Sequence, residues 1–244
     1  MPRGKVDAQP AFVLHSYPFR ETSLIVEVFS RDYGRLSLMA RGARRPRSAI
    51  RGLMMAFQPL ELGWAGKGEV LTLMKAEWQG GIPLLAGQAL FCGYYLNELL
   101  IQLLPREDAH LTLFAHYGEM LKRLAAGGMG EGQAGRVSEA DLRWFEKRLL
   151  QELGYGLTLA CDSAGTPIEP KQLYHYEIEH GAIFADQHQN SSMVVAGQTL
   201  LDMEIDDYRN PRSRTEAKLL MRSLIAHYLG GRELASRKIF QEIN

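Results

Sequence analysis

Residues 24–40 read LIVEVFSRDYGRLSLMA, two apolar runs joined by a turn sequence. Positions 24, 26 and 28 are aliphatic, whereas the intervening positions include Glu27, so the first run has one cleanly apolar face and one mixed face. Asp32-Tyr33-Gly34 has the composition of a hairpin connection, and Arg35–Ala40 follows as a second strand. The stretch predicts an antiparallel hairpin.

Three further stretches around this hairpin have strand character: Ala11–His15, Leu60–Trp64 and Val70–Trp78. Gly66-Lys67-Gly68 predicts a second hairpin connection. Five short strands in the first eighty residues favour a small closed barrel, which removes exposed strand edges. We expect an OB-fold barrel, although strand counting alone does not separate it from an SH3-like barrel.

Beyond Gly80-Gly81 the apolar period becomes helical. Serine followed three residues later by an acid, at Ser138 and again at Ser213, resembles a capping box. A strand hairpin is expected around residues 173–185. We therefore predict an α+β protein with an OB-fold domain at 1–80 and a mainly helical domain at 81–244. The predicted helices are Leu85–Leu104, His110–Ala125, Ser138–Leu153, Thr215–Leu229 and Leu234–Ile243.

The net charge of zero hides an uneven distribution. Residues 1–80 hold 12 basic and 7 acidic residues, residues 81–210 hold 9 and 18, and residues 211–244 hold 7 and 3. The first and last segments are therefore basic and the middle one acidic. Such asymmetry indicates modules with different partners, the first of them polyanionic.

Residues 41–51 read RGARRPRSAIR, with five arginines and no acid. Arginine presents a planar fork of donors that matches phosphate oxygens, so this run predicts contact with a nucleic-acid backbone. A solvated loop is the alternative that composition leaves open. Phe57 and Tyr33 are candidates for base stacking, or else core and turn residues. The predicted DNA-binding residues are Arg35, Arg41, Arg44, Arg45, Arg47 and Arg51.

The N-terminal residues lack the apolar region of a signal peptide, and the most apolar stretch, Leu90–Leu104, is too short to span a membrane. Two cysteines are too few for a disulfide framework. We expect a cytoplasmic, nucleoid-associated protein with no membrane contact and no cofactor. The chain carries no P-loop, HExxH, GxSxG or dinucleotide motif. A metal-dependent hydrolase acting on nucleic acid remains the alternative, with His175, Glu177, Glu179 and His180 as its best constellation.

Seven short motifs, in order along the whole chain, resemble the bacterial recombination mediator family RecO. They are Ala11–Ser16, Arg20–Leu24, Ala40–Arg44, Phe57–Leu60, Tyr95–Leu100, Leu153–Gly156 and Ser236–Phe240. The resemblance implies an N-terminal OB-fold, a helical C-terminal domain and no enzyme activity. It also implies binding to single- and double-stranded DNA, annealing of complementary strands, and work with RecR to load RecA. Binding to the acidic, Phe-ended tail of single-stranded DNA-binding protein is a further implication.

The chain departs from many members of that family, which carry a four-cysteine zinc module after the Gly-Tyr-Gly segment. The corresponding stretch, 157–165, contains Cys161 alone, and no CxxC pair follows. Four thiolates at paired spacing form such a zinc site, so this chain resembles a zinc-less branch.

The family resemblance and the local charge together suggest where the partner tail binds. Six basic residues of the acidic middle segment fall between 122 and 148: Lys122, Arg123, Arg136, Arg143, Lys147 and Arg148. Arg143 and Lys147 share one helix face, adjoining Leu142 and Phe145. A Phe-ended carboxylate needs an apolar slot beside a fixed cation. We expect Leu142, Arg143, Phe145 and Lys147 to bind the tail, with Arg143 as the carboxylate ligand. An ordinary amphipathic helix with solvated cations is the alternative.

Overall fold

The computed structural model describes residues 4–127, 138–185 and 193–236. They fall into two compact units, one within residues 1–137 and 234–244 and the other within residues 138–233. The first unit thus takes in more of the chain than the predicted N-terminal domain of residues 1–80. No helix among the described residues has the length and apolar character needed to cross a membrane.

The first unit contains a closed five-stranded barrel, which confirms the predicted OB-like architecture. Its strands, in the order β1-β2-β3-β5-β4 around the barrel, pair antiparallel except for the parallel β3–β5 pair. Alternate aliphatic side chains of all five strands fill the interior together with Trp64, which is 2% exposed. The strands are β1 (Val6–Phe19), β2 (Ser23–Ser30), β3 (Gly34–Ala40), β4 (Pro59–Ala65) and β5 (Val70–Trp78).

Strand β1 is longer than predicted because it closes the barrel. Its first half pairs with β4 and its second half with β2. The register to β2 shifts between Val13 and His15, so Leu14 is the extra residue of a β-bulge. The carbonyl of Leu14 accepts a 2.7 Å hydrogen bond from the side-chain nitrogen of Asn97, a buried polar residue of helix α1 (Gly87–Leu103). The bulge thereby fixes a helix to the barrel.

Helices α1 (Gly87–Leu103) and α2 (Leu111–Gly127) belong to this unit and cover part of the barrel's outer surface. Phe12 and Phe29, on the outside of β1 and β2, pack against Phe114 and Tyr117 of α2, with ring centroids 5.1–6.3 Å apart. The burial of these rings explains why β1 and β2 carry apolar residues on both faces in this region.

The second unit combines three helices with a three-stranded sheet of order β7-β6-β8. Helix α3 begins where predicted, because the Ser138 hydroxyl accepts a hydrogen bond from the Ala140 amide. The predicted hairpin is confirmed as β6 and β7. The elements are α3 (Glu139–Glu152), β6 (Leu173–Glu177), β7 (Gly181–Phe184), β8 (Val194–Ala196), α4 (Gly197–Glu204) and α5 (Pro211–Tyr228).

The predicted capping box at Ser213 and the predicted helix start at Thr215 are both wrong. Asn210 is the N-cap, accepting from the Arg212 amide, and Pro211 opens the helix. Ser213 is instead buried and donates to Asp202 at 2.5 Å. Of the predicted final helix, 235–236 are helical and residues 237–243 lie outside the described residues.

Candidate nucleic-acid interface

The connection between β3 and β4 displays the arginine run on the barrel surface. Its tight turns are closed by backbone hydrogen bonds, such as Arg45 to Gly42 at 3.1 Å and Ser48 to Arg45 at 3.0 Å. The connection is anchored because Ala43 and Met54 are buried in the barrel core. The arginine side chains point away from this anchorage. All five are exposed: Arg41, Arg44, Arg45, Arg47 and Arg51.

Arg44 joins this loop to the turn between β1 and β2. Its amide donates to the Thr22 carbonyl at 2.9 Å, and its guanidinium Nη1 donates to the Arg20 carbonyl at 3.1 Å. Arg20 is exposed and has a positive φ of 51°, with its guanidinium 5.3 Å from the centroid of the Phe19 ring. Arg20 therefore adds a sixth cation. We refer to these six arginines, 20, 41, 44, 45, 47 and 51, as the arginine patch.

The sequence argument missed Arg20 as a DNA-binding candidate, because it stands alone, 21 positions before the arginine run. A hairpin register would have identified it. Leu24 near the start of β2 pairs with Ala40 at the end of β3. The β1–β2 turn and the β3–β4 connection therefore lie at the same end of the barrel.

The described residues of the first unit do not neutralise the arginine patch. Within residues 4–127, no carboxylate lies within ion-pair distance of any of its six guanidinium groups. By contrast, exposed Arg31 pairs with Asp32 at 2.8 Å. A set of exposed arginines without carboxylate partners favours phosphate as the ligand, since phosphate oxygens match the guanidinium fork.

A strip of partly exposed side chains, which we refer to as the Tyr17 strip, crosses the outer face of the barrel beside this patch. Tyr17 pairs with Ile25, Ile25 with Met39, and Met39 with Thr72, so one side chain from each of four strands lies in a row. Tyr17 is 45% exposed, and its ring centroid lies 4.3 Å from that of His15. Aromatic and apolar surface beside unpaired cations is what an unstacked single strand needs, with bases on the strip and phosphates on the arginines.

The two aromatic residues singled out from the sequence lie elsewhere. Phe57 is 5% exposed and packs against Tyr94 at 5.1 Å, which agrees with its reading as a core residue. Tyr33 is 40% exposed and packs edge-on against Trp64 at 5.4 Å.

Arg35 requires a correction, because it does not belong to the exposed basic surface. Its side chain is 11% exposed and pairs with Glu27 at 3.0 Å, while Nε and Nη2 both donate to the Leu104 carbonyl at 3.1 Å. Arg106 reaches the other oxygen of Glu27 at 3.0 Å. Burial lowers the pKa of Arg35, and Glu27 opposes that shift. Arg35 thus fastens the end of α1 to the barrel.

The residues expected to bind the partner tail are buried or half-buried rather than exposed. Phe145 is fully buried, Leu142 is half-buried, and the Arg143 side chain is 10% exposed with Nη2 2.5 Å from an oxygen of Glu146. Lys147 is 3% exposed and donates to the carbonyls of Met203 and Glu204.

These contacts give Lys147 a structural task. It also pairs with Asp206 at 2.7 Å, so its ammonium group holds the C-terminal end of α4. Arg148 pairs with the same Asp206 and stacks on Trp144 at 4.5 Å. Of the other basic residues in that cluster, Lys122 is exposed, Arg123 pairs with Glu119 at 2.5 Å, and Arg136 lies outside the described residues.

The metal constellation suggested for a hydrolase does not assemble in the described part of the chain, where no three His, Cys, Asp or Glu residues are grouped to hold a metal ion. His175 is buried on β6, whereas Glu179 and His180 are exposed in the following turn. Cys92 is buried and Cys161 is partly exposed.

Comparison with known proteins extends over nearly the whole chain. Residues 6–81 match the family model described as "Recombination protein O N terminal", and residues 85–238 match "Recombination protein O C terminal". The DNA repair protein RecO of Dechloromonas aromatica (strain RCB) is 68% identical over 241 residues, which cover 99% of this chain and 98% of the relative. The RecO protein of Aromatoleum aromaticum is 51% identical over 242 residues, with the same coverage of both chains. The RecO protein of Burkholderia pseudomallei (strain 1710b) is 48% identical over 240 residues, covering 98% of this chain and 84% of the relative. The barrel, the helical region that follows it and these matches together place the chain in the RecO family of DNA repair proteins.

Proposed function

We propose that this protein is a non-catalytic DNA-binding mediator of recombinational repair. It binds single- and double-stranded DNA through the arginine patch, and it anneals complementary strands. The observation that carries the proposal is the set of six exposed arginines at one end of the barrel, beside the Tyr17 strip and without carboxylate partners among residues 4–127. Cations that the protein does not neutralise are available for phosphate.

The mode of binding follows from the two parts of this surface. Phosphates of either DNA form can meet the arginines, whereas the Tyr17 strip can stack only against bases that are not already paired and stacked. Neutralising the backbone while leaving base edges accessible lowers the repulsion between complementary strands. Annealing on this surface therefore needs no bond to be made or broken.

The wider part of the proposal concerns partners. We propose that the protein acts in the cytoplasm on nucleoid DNA. There it would bind the acidic tail of single-stranded DNA-binding protein and act with RecR to load RecA onto the coated strand. Family membership supports this role. Arg143 pairs with Glu146 and Lys147 pairs with Asp206, and both basic side chains are buried. These contacts argue against Arg143 and Lys147 as ligands of the tail.

The DNA contact is tested by substituting Arg44→Gln, Arg45→Gln and Arg47→Gln together. We expect weaker binding to oligonucleotides of any sequence, and the slope of log affinity against log salt should flatten by about two units. The measurement is fluorescence anisotropy with a labelled oligonucleotide at several salt concentrations. The control, Lys5→Gln, Lys75→Gln and Lys122→Gln, removes the same charge from exposed residues outside the loop. Equal salt slopes of log affinity in the two variants would mean that the arginines of this loop are solvated and do not bind DNA.

The absence of catalysis is tested by annealing labelled complementary strands in EDTA, with bare strands and with strands coated by single-stranded DNA-binding protein. We expect the annealing rate to be the same with and without EDTA. Metal-dependent cleavage of the strands by clean protein would favour the hydrolase instead.

A further inference from the structure

Helix α5 carries a second basic surface, which the arginine patch does not include. Arg214, Lys218 and Arg222 are all exposed and follow one another at intervals of four residues. At the α-helical rise, neighbouring members are about 6 Å apart along the axis, and they share one side of the helix. We refer to these three residues as the α5 stripe.

The buried side of α5 limits the directions in which the stripe can point. The helix packs Ala217, Leu220, Met221 and Leu224 into the core of the second unit, where each is at most 1% exposed. The stripe therefore faces away from that core. Leu219, which is 51% exposed, lies among these basic residues.

The helix's single acidic residue, Glu216, does not neutralise the stripe. Its Oε2 accepts from the Ala196 amide at 2.9 Å and from the Thr199 hydroxyl at 2.6 Å, and its Oε1 accepts from Arg212 at 2.6 Å. Burial pushes the pKa of Glu216 up, but these hydrogen bonds outweigh it and lower the pKa overall. Glu216 thus remains charged while it caps the start of α4.

The stripe's own ion pairing is slight. Lys218 meets Glu139 at 2.7 Å, but both side chains are about half exposed, and such surface pairs contribute little. For Arg214 and Arg222, no carboxylate of the described residues lies within ion-pair distance. At least two regularly spaced guanidinium groups are therefore available to an outside anion.

The regular spacing favours an extended polyanion over a peptide. A nucleic-acid backbone repeats its charge at fixed intervals, which a straight row of cations can follow. An acidic peptide ending in an aromatic residue would need a slot for its ring, whereas Leu219 protrudes from the helix.

We propose that the α5 stripe binds the phosphate backbone of a second DNA strand, so that one protein chain holds two strands at once. The inference rests on the proposed function, in which the arginine patch holds the first strand. It supplies what annealing requires beyond simple binding, because two polyanions must be neutralised together before their bases can meet.

The test compares Arg214→Gln/Arg222→Gln with a control pair, Lys171→Gln/Arg209→Gln. Both variants remove two charges from exposed residues of the second unit, and glutamine keeps the helical propensity of α5. Two non-complementary oligonucleotides, one with a donor and one with an acceptor dye, report simultaneous binding by energy transfer. Light scattering gives the mass of the complex. Annealing rate and affinity for one short strand are measured in parallel.

We expect wild type and control to give energy transfer in a complex of one chain and two strands. The Arg214→Gln/Arg222→Gln variant should lose that signal and anneal about tenfold more slowly, with first-strand affinity changed less than about twofold. Unchanged energy transfer in this variant would overturn the inference, as would a complex of two chains. If the Arg214→Gln/Arg222→Gln variant lost only the binding of an acidic, Phe-ended peptide, the stripe would be a protein-docking surface instead. Failure of the proposed function itself would appear separately, as wild-type protein that binds no strand in a salt-dependent way.

Discussion

Tyr17 presents an aromatic ring to solvent near the end of β1, where residues 15–19 are all exposed or half-buried. We predict that Tyr17→Ala weakens binding of a single-stranded oligonucleotide by about 1–3 kcal/mol, the scale of stacking on one base. Duplex binding should change little, because its bases are already stacked. Tyr17→Phe keeps the ring and should bind as wild type does. Equal losses of affinity for single strands and duplex would mean that Tyr17 supports the structure of the barrel surface and does not stack on bases.

Lys147 is a buried cation whose partners are all protein groups of the second unit. We predict that Lys147→Met lowers the free energy of unfolding by about 3 kcal/mol, because two carbonyls and part of Asp206 lose their donor. Urea denaturation measures this loss. Lys171→Met, at an exposed position, is the matched control and should be nearly neutral. A neutral Lys147→Met would mean that this ammonium group is not needed to hold the end of α4.

Arginines divide into two groups that their own sequence context does not separate. Arg44 and Arg35 are nine positions apart in the basic N-terminal segment, yet one is exposed without a carboxylate and the other is locked to Glu27 and Leu104. Leu104 is 69 positions beyond Arg35. The sequence could predict where the positive charge is concentrated, but the long-range contacts decide which charges remain available.

Among the turns, the β2–β3 connection has the tightest requirement for glycine. Gly34 has a φ of 65°, and a Cβ added there would lie 1.8 Å from the carbonyl oxygen of Asp108. We predict that Gly34→Ala destabilises the first unit by several kcal/mol, because the backbone strain of about 1–2 kcal/mol is joined by a backbone clash. Urea denaturation measures the loss.

Gly80→Ala is the matched control for that prediction. Gly80 has a φ of 77°, but no atom lies within 4 Å of the added Cβ, so it should show the strain without the clash. Equal losses at the two positions would mean that the chain near Asp108 moves aside at no cost.

The elements that the sequence predicted well are those with a long apolar pattern. The five barrel strands and helices α1, α2 and α3 lie within a few residues of their predicted bounds, except at the ends of β1. Strand β8 has three residues and α4 has eight, too few for a period to emerge from the sequence. The Ser213 and Glu216 pattern was misread for a related reason. Those side chains hold α4, an element that the sequence did not reveal.

At the scale of the whole molecule, each unit contains a strongly acidic carboxyl group. A hydrogen bond from Arg31, with a further one from Gln9, lowers the pKa of Asp32 to about 2. In the second unit, hydrogen bonds from the side chain and amide of Arg209 lower the pKa of Asp207 to about 2. In the unfolded chain both groups titrate near pH 4. The folded state is therefore favoured by these groups above about pH 4, and this contribution is lost as the pH falls towards 2.

We predict that Asp32→Asn and Asp207→Asn each flatten the fall of the urea midpoint between about pH 4 and pH 2. The double variant should flatten it further, because the residues belong to different units. Each variant should be less stable than wild type at pH 7 and should approach it near pH 2. A constant difference at every pH would show that the charge of these carboxyl groups does not contribute.

The carboxylate of Glu98 binds residues that lie far beyond it along the chain. It accepts hydrogen bonds from the amides of Ala235 and Ser236, at 2.7 and 2.9 Å, and from the Ser236 hydroxyl at 2.5 Å. Ala235 follows Glu98 by 137 positions, which corresponds to roughly 7–27 s of translation at typical rates. During synthesis, the carboxylate of Glu98 therefore lacks these donors for at least that long after Glu98 itself has been added. A chain truncated before Ala235 would leave the carboxylate of Glu98 permanently without these donors.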